Sequence, residues 1–174
     1  MNENRIKTLL SEEELVRRTR EIGEQISEDY AGEELVLVCV LKGAAFFACE
    51  LAKRITIPVT IDFVATSSYG AGTKSTGEVK IKKDLDLPVE GKHVLIVEDI
   101  IDSGHTLSFL SRLFEDRKAK SVKKCAMLDK PDRREVSVDM DYIGFTIPDA
   151  FVVGFGLDYD QKYRNLPYIG VLSE

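Results

Sequence analysis

The stretch VLIVEDIIDSGHT, residues 94–106, decides the fold class and locates the candidate site. Its four apolar residues, Val94 to Val97, are typical of a strand that is buried on both faces of a sheet. Glu98 and Asp99 follow at once, and leaving these carboxylates in the core would cost roughly several kcal/mol each. We therefore expect them at the open carboxyl end of the strand, where ligands bind in open α/β sheets.

The residues after the two carboxylates predict an anion site. The turn 102–106 combines hydroxyl groups, a glycine and the start of a helix that Leu107, Leu110 and Phe114 mark. Backbone N–H groups and the helix dipole make such a turn suited to phosphate. The neighbouring carboxylates would repel a polyphosphate lying across both, but they can accept hydrogen bonds from a diol or hold Mg²⁺. This chemistry fits ribose 5-phosphate; an N-capped helix with solvated acids remains the alternative.

On either side of this stretch, apolar strands alternate with amphipathic helices. This alternation predicts an α/β fold with a parallel sheet and helices on both faces. The length of 174 residues, without a repeat or a linker, predicts one domain over 1–174. Strands are predicted at 35–41, 57–65, 79–81, 94–97, 122–128 and 151–155; helices are predicted from a capping box at Ser11 to Gly32, over 44–54, and from the 102–106 turn to about Arg117.

Composition excludes several classes of protein. A net charge of −6 and a pI near 5.1 argue against a stable nucleic-acid partner held by general electrostatics. The chain shows neither an apolar run of membrane-spanning length nor a signal peptide, so we expect no membrane association and a cytoplasmic location. The three cysteines lack zinc or disulfide spacing, which predicts reduced, packed thiols.

Five motifs, in order along the chain, resemble those of type I phosphoribosyltransferases, and more narrowly those of the bacterial hypoxanthine (6-oxopurine) branch. The resemblance implies a central, mainly parallel sheet flanked by helices, with a small hood over its carboxyl edge built from terminal and late segments. The motifs are VCVLKGA at 38–44, SSYG at 67–70, the 94–106 stretch, LDKPDRR at 128–134 and PDAFVVGFGLDYDQKYRNLPYIGVL at 148–172.

The resemblance also implies how the 94–106 stretch binds phosphoribosyl pyrophosphate (PRPP). Glu98 and Asp99 would face the ribose hydroxyls and a magnesium ion, and the following turn would wrap the 5′-phosphate. Asp102 would be the catalytic acid or base at purine N7, a role that contributes roughly 10²–10⁴-fold to the rate. PRPP binding is thus expected at Glu98, Asp99, Ser103, Gly104, His105 and Thr106.

The other motifs imply the remaining parts of the site. Pyrophosphate would be bound by Lys42 and Gly43, with a cis peptide before the lysine, and by Arg164. The glycine-rich segment 67–77 predicts a mobile loop, which corresponds to the family's lid at Ser68 and Tyr69. The purine would contact Lys130 through its 6-oxo group, Phe151 by stacking and the Val152 backbone; Asp158 would join Glu98 and Asp99 in holding metal.

The predicted function is a purine-salvage transferase that moves the 5-phosphoribosyl group from PRPP to hypoxanthine or guanine, giving IMP or GMP and pyrophosphate. The resemblance implies Mg²⁺ as the cofactor and a homodimer or homotetramer as the assembly. Two alternatives stay open: a PRPP-binding RNA regulator of pyrimidine synthesis with the same fold, and a xanthine-preferring transferase. His105 stands where some relatives carry lysine, and Ala150 stands where some carry a charged residue. The choice of base is therefore not decided by the sequence.

Overall fold

The 94–106 stretch lies at the centre of a six-stranded sheet with the strand order β4-β3-β2-β5-β6-β7. The structure is a computed structural model that describes residues 5–68 and 78–173. Its strands are β1 Ile6–Leu10, β2 Leu35–Leu41, β3 Val59–Ser68, β4 Val79–Lys83, β5 His93–Ile101, β6 Ser121–Asp129, β7 Tyr142–Thr146, β8 Val152–Val153 and β9 Ile169–Leu172. Its helices are α1 Glu12–Asp29, α2 Ala45–Ala52 and α3 His105–Asp116, and a short 3₁₀ helix spans Pro131–Arg133.

Five of the six strands described in this main sheet run parallel, and the sixth, β4, is antiparallel to its neighbour β3. The prediction that the central strand ends at Val97 was wrong, because β5 continues to Ile101. Its pairing with β2 stops at Cys39 opposite Val97, whereas Glu98 still pairs with Ala126 on β6. The two carboxylates therefore lie at the carboxyl edge, as expected, but on a strand that keeps one neighbour.

The three helices cover both faces of the sheet, which confirms the α/β prediction. The capping box of α1 is present, since the Glu14 N–H donates to Ser11 Oγ over 3.2 Å and the Ser11 N–H donates to Glu14 Oε2 over 2.8 Å. Alternate residues of β2 point to opposite faces. Leu35, Leu37 and Cys39 pack with the core beneath α1 and α2, whereas Val36, Val38 and Val40 pack with Leu107, Leu110 and Phe114 of α3.

A second, antiparallel sheet of order β1-β9-β8 forms the expected hood from the beginning, the late part and the end of the described chain. Ile6 pairs with Leu172, and Val152 pairs with Val171. The strand predicted over 151–155 was wrong in length and in place. Only Val152–Val153 is extended, and it belongs to the hood, because the backbone turns at Gly154 and Phe155 with φ of 99° and 49°.

The three cysteines are free thiols. Cys39 and Cys125 are buried, and burial raises the pKa of Cys39 to about 12. The prediction of packed thiols was wrong for Cys49, which is exposed on α2. The described part of the chain has no helix that combines the length and the apolar character needed to cross a membrane.

Candidate active site

An acidic pair occupies the carboxyl end of β5. Glu98 is 9% exposed and Asp99 is partly buried. Burial raises the pKa of Glu98 well above its usual range, and the charge of Asp99 raises it further. Burial also raises the pKa of Asp99. Two hydrogen bonds offset part of this rise: one joins Asp99 to the Glu98 side chain, and in the other the Ile100 N–H donates to Asp99 Oδ1 over 2.7 Å. The pair therefore resists carrying two negative charges until a cation or hydrogen-bond donors reach it.

The turn after β2 packs directly against this pair. A Cβ atom on Gly43 would lie 1.8 Å from Asp99 Oδ2, so any side chain there would displace the carboxylate. Only glycine permits this approach of the backbone. The Leu41–Lys42 peptide bond is cis, as the resemblance implied, and the Lys42 side chain is exposed.

The N-terminus of α3 lacks the capping that α1 has. Gly104 occupies the N-cap position with φ of +91°, a conformation that favours glycine, and no side chain caps the helix there. Apart from a long hydrogen bond of 3.5 Å from the His105 N–H to Ser103 Oγ, the first N–H groups of α3 are thus open to a ligand. A cavity of about 240 Å³ adjoins them and is lined by Glu98, Asp102, Ser103, Gly104, Thr106 and Leu107, among others. The predicted phosphate turn and Glu98 therefore share one space.

Residues 134–136 brace this turn from the side. The N–H groups of Glu135 and Val136 donate to the Ser103 carbonyl over 2.9 and 3.1 Å. Arg134 Nε donates to the Asp102 carbonyl over 3.0 Å, and the same guanidinium pairs with Asp129. The His105 ring lies 2.6 Å from Glu135 Oε2. Sequence reasoning missed both Arg134 and Glu135, whose only signal was their place in a charged stretch.

A buried ammonium lies beyond β6, on the side where the purine is expected. Lys130 is 7% exposed. Its backbone N–H donates to the Ile101 carbonyl over 2.9 Å, which joins this residue to the end of β5. Its Nζ lies 3.9 Å from Asp149 Oδ1, an oxygen that also accepts a 2.9 Å hydrogen bond from Arg133. Because 3.9 Å is longer than a hydrogen bond, the buried ammonium of Lys130 can still donate one to a carbonyl oxygen of a ligand.

Phe151 and Val152 of the hood lie on the side of the site where the purine is expected. The Phe151 ring is 52% exposed and stands edge-on to Tyr159, with the ring centroids 5.7 Å apart. An exposed ring on the hood can offer a face to a base, which a core phenylalanine cannot. Val152 is buried in β8, next to Phe151.

A group of charged side chains lies on the other side of the acidic pair, in the loop after β8. Arg164 Nη1 lies 3.4 Å from Asp158 Oδ1 and donates to the Gly156 carbonyl over 2.7 Å. The charge of Arg164 acts on Asp99, where it opposes the rise in the pKa that burial causes. Lys42 Nζ and Arg164 Nη2 both donate to Gln161 Oε1, each over 3.2 Å. The two cations predicted to bind pyrophosphate are thus brought together.

The predicted lid is only partly within the described structure. Ser68 is the exposed last residue of β3. Tyr69 and the rest of the predicted mobile loop, up to residue 77, lie outside the described residues.

The carboxyl edge of the sheet thus combines an acidic pair, an open helix N-terminus, a buried ammonium and two cations. This combination defines an α/β protein that binds a phosphorylated sugar beside a second, partly apolar ligand. The model of the phosphoribosyl transferase domain family matches residues 5–160.

Proteins that are similar in sequence and structure indicate the branch of this family. The hypoxanthine-guanine phosphoribosyltransferase of Streptococcus thermophilus (strain CNRZ 1066) is 54% identical over 97% of this chain and 93% of its own length. That of Streptococcus agalactiae serotype V is 52% identical over 100% of this chain and 97% of its own. A hypoxanthine phosphoribosyltransferase structure from Staphylococcus aureus has a TM-score of 0.95 at 48% identity and covers 99% of this chain and 96% of that one. The chain belongs to the phosphoribosyl transferase family, on the branch of the hypoxanthine-guanine phosphoribosyltransferases.

Proposed function

We propose that this protein transfers the 5-phosphoribosyl group of PRPP to the N9 nitrogen of hypoxanthine or guanine, releasing pyrophosphate and forming IMP or GMP. The observation that carries the proposal is a cavity of about 240 Å³ that the buried Glu98 and the N-terminus of α3 line together, with Asp99 next to Glu98 on β5. These parts match a ribose diol and its 5′-phosphate. The close similarity to hypoxanthine-guanine phosphoribosyltransferases supports the choice of base.

The PRPP side of the reaction uses the carboxyl edge of β5. The Glu98 and Asp99 carboxylates accept hydrogen bonds from the ribose hydroxyls, while Ser103, Gly104, His105 and Thr106 surround the 5′-phosphate with N–H and hydroxyl groups. Positive charge develops at the anomeric carbon as the pyrophosphate leaves, and the nearby carboxylates stabilise it. Because Gly43 packs on Asp99, the geometry of the acidic pair depends on the turn after β2.

The purine side uses residues from β6 and the hood. Lys130 donates to the 6-oxo group, the Phe151 ring stacks on the base and the Val152 backbone fixes its edge. Asp102, which is exposed at the mouth of the cavity, manages the proton at N7 as general acid or base. The six-oxo group is selected because a buried ammonium donates to a carbonyl but repels an amino group.

The donor set fits Mg²⁺. Glu98, Asp99 and Asp158 offer carboxylate oxygens, the hard ligands that Mg²⁺ prefers. Within residues 5–68 and 78–173 no three metal-ligating side chains cluster together, so substrate oxygens would complete the coordination. When bound, the ion neutralises the pyrophosphate charge. A cation beside the acidic pair also favours its ionised form, which burial alone opposes.

Lys42, Gly43 and Arg164 bind the departing pyrophosphate through charge and backbone N–H groups. Ser68 and Tyr69 belong to a lid that excludes water from the reacting carbon, which would otherwise be hydrolysed. The proposal includes one domain over residues 1–174, and the pairing of Ile6 with Leu172 supports this by joining the two ends of the described chain.

We place the protein in the cytoplasm, consistent with three free thiols, one of them exposed. We propose a homodimer or homotetramer as its assembly. An apolar groove of about 500 Å³, lined by Leu15, Phe46 and Leu166 among others, supports association with a second copy.

The test is a panel of bases supplied with PRPP and Mg²⁺, with pyrophosphate release as the readout. Hypoxanthine and guanine should react, whereas adenine and uracil should not, because neither can present a purine 6-oxo group to Lys130. Inert hypoxanthine and guanine beside a reactive xanthine or uracil would refute the assignment. Retention of RNA on a filter, lost at high salt, would instead support the RNA regulator; the similar proteins favour neither alternative.

A further inference from the structure

The cationic side of the site contains a residue to which the family resemblance gave no role. Gln161 lies in the loop after β8, and its Oε1 atom accepts hydrogen bonds from both Lys42 Nζ and Arg164 Nη2, each 3.2 Å long. These donors come from positions 42 and 164, far apart in the sequence. A carboxamide between two cations can meet both only through its oxygen, since its nitrogen has no acceptor capacity.

The conformation of the loop and its contacts with Asp158 hold Gln161 in place. Asp160, Gln161 and Tyr163 have φ of +51°, +65° and +74°, and these three left-handed residues turn the loop back on itself. The Gln161 N–H donates to Asp158 Oδ2 over 2.9 Å, and Asp158 Oδ1 lies 3.4 Å from Arg164 Nη1. Such conformations disfavour most non-glycine residues and need support from their surroundings. Here Asp158 and Arg164 provide that support.

We propose that Gln161 is a positioning residue for pyrophosphate: it holds Lys42 and Arg164 at the spacing of one shared acceptor, and a pyrophosphate oxygen replaces its carboxamide oxygen when the ligand binds. This inference rests on the proposed function, because it concerns the same leaving group. The Lys42 ammonium and the Arg164 guanidinium repel each other, and long side chains lose rotamer freedom when a ligand orders them. A shared acceptor lowers both costs before the ligand arrives.

The neutrality of the acceptor matters as much as its position. A carboxylate at 161 would pair with both cations more strongly than a carboxamide does, and pyrophosphate would then have to displace a charged competitor. It would also add negative charge beside Asp158, Asp99 and an anionic ligand. Glutamine orders the two cations without neutralising them.

The experiment measures binding of magnesium pyrophosphate by calorimetry, which does not require turnover. Gln161→Glu should weaken binding by roughly tenfold, and added salt should reduce this loss because it screens the new charge. Gln161→Asn should weaken binding by about threefold, since asparagine tolerates left-handed φ but its side chain is too short to reach both cations. Gln25→Asn, an exposed glutamine on α1, is the matched control and should bind as the wild type does.

The transfer reaction gives a second readout. KM for PRPP should rise in both Gln161 variants while KM for hypoxanthine stays constant, a separation that general loss of structure does not produce. Unchanged or tighter pyrophosphate binding by Gln161→Asn would overturn the positioning role, and the same result for Gln161→Glu would overturn the argument from neutrality. If the wild type binds pyrophosphate yet transfers to no base, the proposed function fails, while the ratios of binding constants still decide the role of Gln161.

Discussion

Asp62 on β3 and Glu98 on β5 are both buried carboxylates of the main sheet, 3% and 9% exposed, but their surroundings differ. Asp62 accepts hydrogen bonds from three backbone N–H groups: Phe63 at 2.8 Å, Asp86 at 3.1 Å and Leu87 at 3.0 Å. Glu98 has a second carboxylate, Asp99, beside it, and burial raises its pKa. Three backbone donors thus satisfy the acid that holds the structure together, whereas the acid that meets a ligand has fewer such donors and a second carboxylate beside it.

The difference has a physical reason. A buried carboxylate with several N–H donors is stable in the absence of a ligand, but it has few lone pairs left to offer to one. A buried pair of acids destabilises the ligand-free protein and gains from any diol or cation that reaches it. Functional sites commonly carry such a cost in stability. Three substitutions test whether this division between structural and functional acids holds.

The largest effect is expected at Asp102, an acid of the site that is exposed rather than buried. Asp102→Asn should lower kcat by about 10²–10⁴-fold, because the amide cannot exchange a proton with purine N7. PRPP binding should persist, since the phosphate turn binds through other groups. The measurement combines steady-state turnover with calorimetric titration of PRPP. Unchanged turnover would remove Asp102 from the mechanism.

The next effect is expected at Asp62 and concerns stability alone. Asp62→Ala leaves the N–H groups of Phe63, Asp86 and Leu87 without their acceptor, which should lower the free energy of unfolding by about 2–4 kcal/mol. Turnover per folded molecule should not change. Urea unfolding measures the loss.

The matched control for Asp62 is the exposed Asp139, where alanine should change stability by less than about 0.5 kcal/mol. If the alanine variant of Asp62 does not fold, Asp62→Asn retains one acceptor and should show a smaller loss. Equal stability of the Asp62 and Asp139 variants would contradict the structural role.

The same two acids show how far the sequence predicts this molecule. The 94–106 stretch predicts its strand, its carboxylates and its helix, because those signals are local: an apolar run, two charges and a glycine turn. The end of β5 was missed because its extension to Ile101 depends on pairing with β6, some thirty positions away. Two of the three donors to Asp62 lie 24 and 25 residues away, a distance at which no periodicity operates.

The candidate site shows the same difference between what local sequence signals predict and what depends on distant parts of the chain. Lys130, Phe151 and Arg164 were named through the family resemblance alone, since by pattern the two cations are ordinary surface residues and Phe151 is a core residue. The structure places Lys130 in a buried position and Phe151 in an exposed one, the reverse of what composition favours. Gln161 gave no signal in the sequence, because its role depends on a left-handed loop that brings two distant cations together.

The smallest effect is expected at Glu98 and has the opposite sign to that at Asp62. Glu98→Gln should raise the free energy of unfolding of the ligand-free protein by about 1 kcal/mol at neutral pH, because glutamine is neutral, whereas Glu98 must either take up a proton on folding or add a second negative charge beside Asp99. The same substitution should weaken PRPP binding, since one ligand of the diol and metal is lost. A variant that is more stable but binds less tightly would separate the functional acid from the structural one in a single experiment.

The pH dependence of stability isolates the charge of Glu98 from its packing. The pKa of Glu98 is higher in the folded protein than in the unfolded chain, so the folded state binds more protons between the two values. This contribution to stability is complete below the unfolded pKa and is lost as the pH rises through the raised folded pKa. The stability of the ligand-free wild type should therefore fall as the pH rises from the ordinary pKa of a glutamate through the raised pKa of the folded state, and the fall should be smaller in Glu98→Gln. Urea unfolding across this range measures both slopes, with Asp139→Asn as the control that keeps the wild-type slope. Parallel slopes for wild type and Glu98→Gln would show that Glu98 is as well satisfied as Asp62, and the contrast between the two acids would then fail.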